Sequence, residues 1–267
     1  MILCIALSLL LLVCVSSCTN AQGRQPEYEL VWQEDFSGKT LDTASWSKIK
    51  RADISWCAYM TDDARFYDLK RGRLRLYARV NDGILPNDTA HYLTGGISTE
   101  GKRLIKYGKM EIRARLHGAI GTWPAIWLFA QDKKSRPYTN PRYAEIDIVE
   151  YYNRDKEVYH TIHTDYTLSL KQTKKPLSQK TSQIKFEKYN VYTVEILPDG
   201  IHLSINGERT FSYPRLSGVN ACQYPFDQDL YLMLDMQVLR PYRYKVDDAT
   251  FPAYMDIDWV KMYRYAE

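Results

Sequence analysis

Cysteine is scarce in this 267-residue chain, and three of its five copies, Cys4, Cys14 and Cys18, fall within the first eighteen residues. Cys57 and Cys222 alone remain for the body, too few for a disulfide-built scaffold. A bond between them is permitted in an oxidising compartment but is not implied by their spacing. Histidine is also sparse, and no His/Cys/carboxylate cluster has metal-ligand spacing, so a zinc site has no basis. Long amphipathic helical stretches, internal repeats and signs of a second domain are missing. Charge of one sign is not in large excess: 36 Lys and Arg against 32 Asp and Glu leave +4, with no concentrated basic stripe. Nucleic acid is therefore not an expected partner.

What is abundant is apolar and aromatic side chain, 45% and 13% of the residues, with 22 Tyr and 6 Trp against 13 Gly. That is enough to bury a sizeable core, and it excludes a disordered chain. The apolar residues alternate in short runs: Leu74 to Val80, Lys109 to Leu116, Ala125 to Phe129, Val158 to Thr164, Tyr192 to Leu197, His202 to Ile205, Tyr231 to Met236 and Met255 to Tyr263. Leu197-Pro198-Asp199-Gly200 and Asn206-Gly207 read as hairpin turns. The pattern predicts an all-β sandwich in one domain. Leu168 to Lys185, rich in Lys, Gln, Ser and Thr, reads as a mobile surface loop.

The segment Glu145-Ile146-Asp147-Ile148-Val149-Glu150 places three carboxylates in an apolar, strand-like run. Alternation puts Glu145 and Asp147 on one face and leaves Glu150 on the other. One extra residue at Ile148 or Val149 would return Glu150 to their face, so a β-bulge is predicted there. Paired carboxylates at a fixed separation cleave glycosidic bonds, about 5 Å apart when configuration is retained. Asp147 between them would hold a shared proton and push the neighbouring pKa values apart. The competing reading, a non-catalytic glycan-binding surface lipoprotein, has no need of a nucleophile and an acid at this spacing.

The flanking segments give the chain a resemblance to the family 16 glycoside hydrolases, over most of residues 28 to 265. In order they are VWQEDFSG from Val31, TGGISTEGK from Thr94, YGKMEIRARL from Tyr107, GTWPAIWLF from Gly121, the acidic motif, and MDIDWVKMYRY from Met255. The resemblance narrows the expected fold to a β-jelly-roll of two curved antiparallel sheets with a cleft across the concave one. It implies a retaining endo-hydrolase with Glu145 as nucleophile, Asp147 assisting and Glu150 as general acid/base, requiring no catalytic cofactor. The six-residue motif is similar to that of the laminarinase, agarase, carrageenase and endo-galactosidase side of the family. The family also implies a structural Ca²⁺ with Glu34 and Asp258 as the matching acids, the alternative being ordinary surface acids.

Trp123 and Trp127 share a face at strand spacing and are expected to stack on sugar rings, the alternative being a place in the core. His160 and His163 are expected on the strand beside the motif, His163 as a sugar contact or a structural hydrogen-bonding residue. The Gly-Gly and Trp that follow the late strand of laminarinases are replaced by Leu239-Arg240-Pro241-Tyr242-Arg243-Tyr244-Lys245. Gln237, Arg240 and Arg243 are therefore expected substrate contacts. A rim of Arg, Tyr and Lys matches a galactose-containing glycan, such as a mucin O-glycan or keratan-type chain, better than a neutral β-glucan. An endo-β-1,3-glucanase and an agarase-like or porphyranase-like galactanase are the alternatives.

Residues Ile2 to Val15 are almost wholly apolar and too short for an ordinary membrane span, so residues 1–17 read as a secretory signal. Val15-Ser16-Ser17-Cys18 resembles a bacterial lipobox, which makes Cys18 the expected lipidation site and the cell-envelope membrane a partner. Residues 18–27 form the tether and 28–267 the catalytic domain, expected as a monomer.

Overall fold

A computed structural model describes residues 27–132 and 139–266, so the predicted signal, Cys18 and nearly all of the tether lie outside the described residues. The alternating runs pair into two antiparallel sheets. The nine-stranded sheet runs in the order β15 (Glu208–Pro214), β14 (Gly200–Ile205), β13 (Asn190–Leu197), β8 (Gly108–His117), β17 (Ala253–Ala266), β4 (Leu74–Val80) and β3 (Tyr67–Leu69). β1 (Glu27–Glu34) adds to β17 and β5 (Tyr92–Thr94) to β4. The eight-stranded sheet runs β12 (Gln179–Gln183), β11 (Glu157–Thr164), β10 (Ala144–Glu150), β9 (Ala125–Ala130), β16 (Leu230–Asp235), β6 (Gly96–Ser98) and β2 (Ser47–Lys48), with β7 (Leu104–Ile105) beside β16.

The sheets stack because each has one apolar face. β8 alternates without exception, Met110, Ile112, Ala114 and Leu116 being buried and the residues between them partly exposed. These meet Ile126, Leu128, Ile146 and Ile162 of the other sheet in one continuous core. Each fully buried Ile or Leu contributes about 1.5–3 kcal/mol over an exposed one. Both hairpin turns form as expected, Leu197 pairing with Gly200 and Ile205 with Glu208. Asn206 and Gly207 take φ of 54° and 84°, the left-handed pair that matches the twist of a two-residue hairpin.

The expected loop over Leu168 to Lys185 is only partly a loop. It contains the tail of a short helix, α1 (Asp165–Leu168), capped reciprocally by Thr164 and Thr167, and the edge strand β12. β12 is solvent-facing along nearly all its length, so it lacks the alternating apolar residues by which a strand is recognised. Cys57 and Cys222 are both buried and unbonded.

Gly118, just after β8, lies beneath the backbone of Asn153, whose oxygen would be 1.6 Å from an added Cβ. The chain on both sides is pinned, since Asn153 Oδ1 accepts from Gly121 N and Asn153 N donates to Thr122 O. Gly118→Ala is expected to cost at least about 2 kcal/mol, read as a lower urea midpoint with unchanged slope. A wild-type midpoint would contradict this packing.

Candidate active site

The predicted bulge is present. Against β9, Asp147 pairs with Trp127 and Val149 with Ile126, so Ile148 is the extra residue. Against β11, Asp147 pairs with Thr161 and Glu150 with Tyr159, so two residues oppose His160 alone. Ile148 and Val149 both turn into the core, and Glu150 regains the outer face of Glu145 and Asp147. His160 holds the distortion in place: its Nδ1 lies 2.7 Å from the carbonyl of Ile148 and its Nε2 lies 2.9 Å from the Thr210 hydroxyl. Burial lowers the His160 pKa from 6.5 to about 4, so the ring is neutral, with Nδ1–H donating and Nε2 accepting. Its folded pKa is depressed, so this contribution is present above pH 6.5 and is lost as the pH falls towards about 4.

Each carboxylate has its own environment. Glu145 accepts a short hydrogen bond from the Tyr143 hydroxyl. Glu150 accepts three: Trp123 Nε1 at 2.9 Å and Tyr152 OH at 3.1 Å on Oε1, and Thr161 OH at 3.0 Å on Oε2. Asp147 is buried, and its Oδ2 has no hydrogen-bond partner; His163 Nε2 lies 3.4 Å from it. Burial pushes the Glu145 carboxyl up to about 7 against the Tyr143 bond, and raises Glu150 against its three donors. Asp147 is raised well above the usual carboxylate range, first by burial and then by the charges of Glu150, Glu145 and Asp235, with no donor on Oδ2 to oppose them. A proton shared by the three therefore resides most readily on Asp147, leaving the flanking pair free to differ.

The other residues singled out in the sequence divide. Trp123 is half-buried, stacks on Tyr152 with ring centres 5.5 Å apart, and lies at the rim beside Glu150. Trp127 faces the same side but is only 5% exposed. Trp56 stands edge-on against it at 5.0 Å, Phe129 and Met233 pack around it, and its N–H bonds Asp235 at 3.0 Å. It is a wall of the site and not an open stacking platform, because its ring faces are already covered. Gln237 is buried, donates to Asp235 at 2.8 Å, and leaves its Oε1 without a partner. Arg240 is paired with the exposed Asp53 at 2.8 Å and lies 5.9 Å over the Tyr59 ring, while Arg243 is exposed on the turn that follows.

Glu34 pairs in register with Val260, two residues from Asp258; its carboxylate accepts from Phe36 N and Trp46 Nε1, and Asp258 is paired with Arg113. Among the described residues, three metal-capable groups converge only at Glu145, Asp147 and His163, whose ligand atoms lie within 4.8 Å of one another. Sequence reading missed Tyr143, Tyr152, Thr161 and Asp235. The first two had a signal, since they stand two residues before Glu145 and two after Glu150, just beyond the ends of β10. Asp235, buried with a pKa pushed up to about 7 by desolvation against two hydrogen bonds, had none.

Two depressions flank β10 on the outer face of its sheet. One, about 460 Å³, includes Thr161, His163 and Gln179 from β11 and β12 in its wall. The other, about 400 Å³, includes Lys48, Ser98, Tyr231 and Met233 from β2, β6 and β16.

An antiparallel β-sandwich with buried, electrostatically distinct carboxylates on one strand face is the construction of a glycoside hydrolase. Residues 110–200 match the model of an XgeA-like, catalytic GH16 domain. The chain is 30% identical over 240 residues to a keratan-sulfate endo-1,4-beta-galactosidase of Sphingobacterium multivorum, covering 89% of this chain and spanning 56% of that protein's length. It is 29% identical over 272 residues to a beta-glucanase of Rhodothermus marinus, covering 96% and 92%. The solved laminarinase of Rhodothermus marinus superposes with a TM-score of 0.79 at 26% identity, over 91% of this chain and all of that one. The chain belongs to glycoside hydrolase family 16.

Asp147 provides a test of the electrostatics. Its folded pKa is raised, so the unfolded chain loses this proton first and stability falls as the pH rises above about 4. Asp147→Asn removes that penalty. The variant should match the wild type in Tm at pH 4 and exceed it increasingly towards neutrality; a difference independent of pH would refute a raised Asp147 pKa.

Proposed function

We propose that this family 16 hydrolase is a retaining endo-β-glycosidase acting on galactose- and N-acetyllactosamine-containing chains, such as mucin O-glycans or keratan-type polymers. The reading of the reaction is carried by the bulge that aligns Glu145, Asp147 and Glu150. In this mechanism a Glu145 oxygen attacks the anomeric carbon while Glu150 gives its proton to the departing glycosidic oxygen. Glu150 then takes a proton from water, whose oxygen displaces Glu145. Asp147 keeps a proton beside Glu145 between the steps and, when ionised, favours the protonated form of Glu150. Trp123 N–H and Tyr152 O–H on Oε1, with Thr161 O–H on Oε2, fix the orientation of Glu150.

The galactan preference is supported by the likeness to the keratan-sulfate endo-1,4-beta-galactosidase and by the Arg- and Tyr-bearing turn at Leu239 to Lys245. A β-1,3-glucanase is equally supported by relatives, including the beta-glucanase whose length this chain nearly spans. The deciding measurement is the set of oligosaccharides released from laminarin, lichenan, agarose, keratan sulfate and mucin O-glycans. Keratan or mucin products are expected; cleavage of laminarin alone would promote the glucanase. Glu145→Gln and Glu150→Gln should each lower kcat by about 10³-fold or more with glycan binding kept. The first-formed product should be the β-anomer by proton NMR, an initial α-anomer ruling out retention.

We also infer export and lipid anchoring at Cys18, supported by the apolar run and the lipobox-like residues before it. No helix among the described residues is long and apolar enough to cross a membrane. In the full chain, Cys18→Ala should abolish incorporation of labelled fatty acid and move the protein from the membrane to the soluble fraction. Unchanged partition would exclude this anchor.

A further inference from the structure

Leu74, Leu76 and Ala78 of β4 point into the core, so Arg75, Tyr77 and Arg79 face outward on the side of the sandwich away from β10. With Ile84, Phe251 and Tyr254 they surround a pocket of about 550 Å³. The rings and guanidinium groups form a ladder: Arg79 lies 3.9 Å over the Tyr77 ring, Tyr77 meets Tyr254 edge-on at 6.4 Å, and Arg75 lies 3.9 Å over Tyr254.

The two arginines differ in what they hold. Arg75 grips the fully buried Asp256 with bonds of 2.6 and 2.9 Å, and Asp256 also serves Arg115 and Arg73. Burial raises the Asp256 pKa, but the arginine bonds and charges outweigh it and hold the carboxyl ionised. Arg79 has no such partner. Among the described residues its guanidinium meets only the rings of Tyr77 and Phe66, and its Nε is buried without an acceptor. Asp248, an acid in the pocket wall, is already held by Tyr92 and His91 at 2.7 Å each. A desolvated guanidinium N–H left unpaired is unfavourable, and its planar fork fits the oxygens of a sulfate or carboxylate. Beside it, Tyr77 and Tyr254 supply aromatic faces of the kind that pack on the C–H face of a pyranose.

We propose that this pocket is a second, non-catalytic glycan site that takes a saccharide bearing a sulfate ester or a carboxylate. The anion sits on Arg79 and the ring rests against Tyr77 and Tyr254. The site lies across the molecule from the carboxylate strand and holds an anionic chain whichever bond the cleft cuts.

The test is calorimetric titration of the full chain carrying Glu150→Gln, which prevents turnover. The probes are 6-sulfo-N-acetyllactosamine, 3′-sialyllactose, unmodified N-acetyllactosamine and phosphatidylglycerol vesicles. Adding Arg79→Ala should weaken binding of the sulfated or the sialylated probe about tenfold and leave the unmodified disaccharide unchanged. Loss with only one of the two anionic probes identifies which anion the site takes. Arg79→Gln keeps length and N–H donors without the charge, so it serves with the same expectation if the alanine variant fails to fold. Affinity for both anionic probes unaffected by removing the charge would overturn the proposal, as would an equal loss for the unmodified disaccharide. Vesicle binding that depends on Arg79, with neither saccharide bound, would also overturn it and make this a lipid-phosphate surface.

Discussion

A strand repeats every two residues, so residues 145, 147 and 150 cannot share a face unless one residue is taken out of register. Everything at the site depends on that single insertion. Ile148 supplies it, and the cost of a disturbed ladder is offset in two ways: Ile148 and Val149 both reach the core, and His160 bonds the Ile148 carbonyl that the neighbouring strand does not serve. A neutral imidazole is well suited to that place, since it can donate to the carbonyl and accept from Thr210 without bringing charge into the sandwich.

The same insertion sets the electrostatics. Three carboxylates brought to one face and desolvated repel one another, and the surrounding donors are unequally distributed among them. Glu150 receives three, Glu145 one and Asp147 none on its inner oxygen. The asymmetry leaves the proton on the middle residue and gives the flanking pair distinct environments, as acid/base chemistry by two like groups requires. Asp235 of β16, two strands from β10 in the same sheet, is a further fully buried acid, bound to Trp127 and Gln237.

The sequence revealed whatever follows from periodicity. The eight strands read from alternation, the two hairpin turns and the bulge in β10 all depend on local pattern, and all are present. What escaped depends on contacts between segments far apart in the chain. Trp127 lies on the expected face, but Trp56, seventy-odd positions earlier, covers it. Asp235 looks like any strand-end acid until Trp127 and Gln237 close around it. Thr161 becomes part of the site only through the pairing of β11 with β10.

The polarity that hid β12 from a reading by hydrophobic pattern has a consequence of its own. This strand closes one end of the eight-stranded sheet with Gln, Lys, Thr and Ser facing water, and nothing apolar for a foreign strand to bury. A sheet ending on Ile162 or Val158 of β11 would offer its backbone donors and acceptors together with a sticky face, the combination that lets β-proteins add strands to one another. β12 thus acts as a selvedge, finishing the fabric so that the sheet stays the width its own chain dictates.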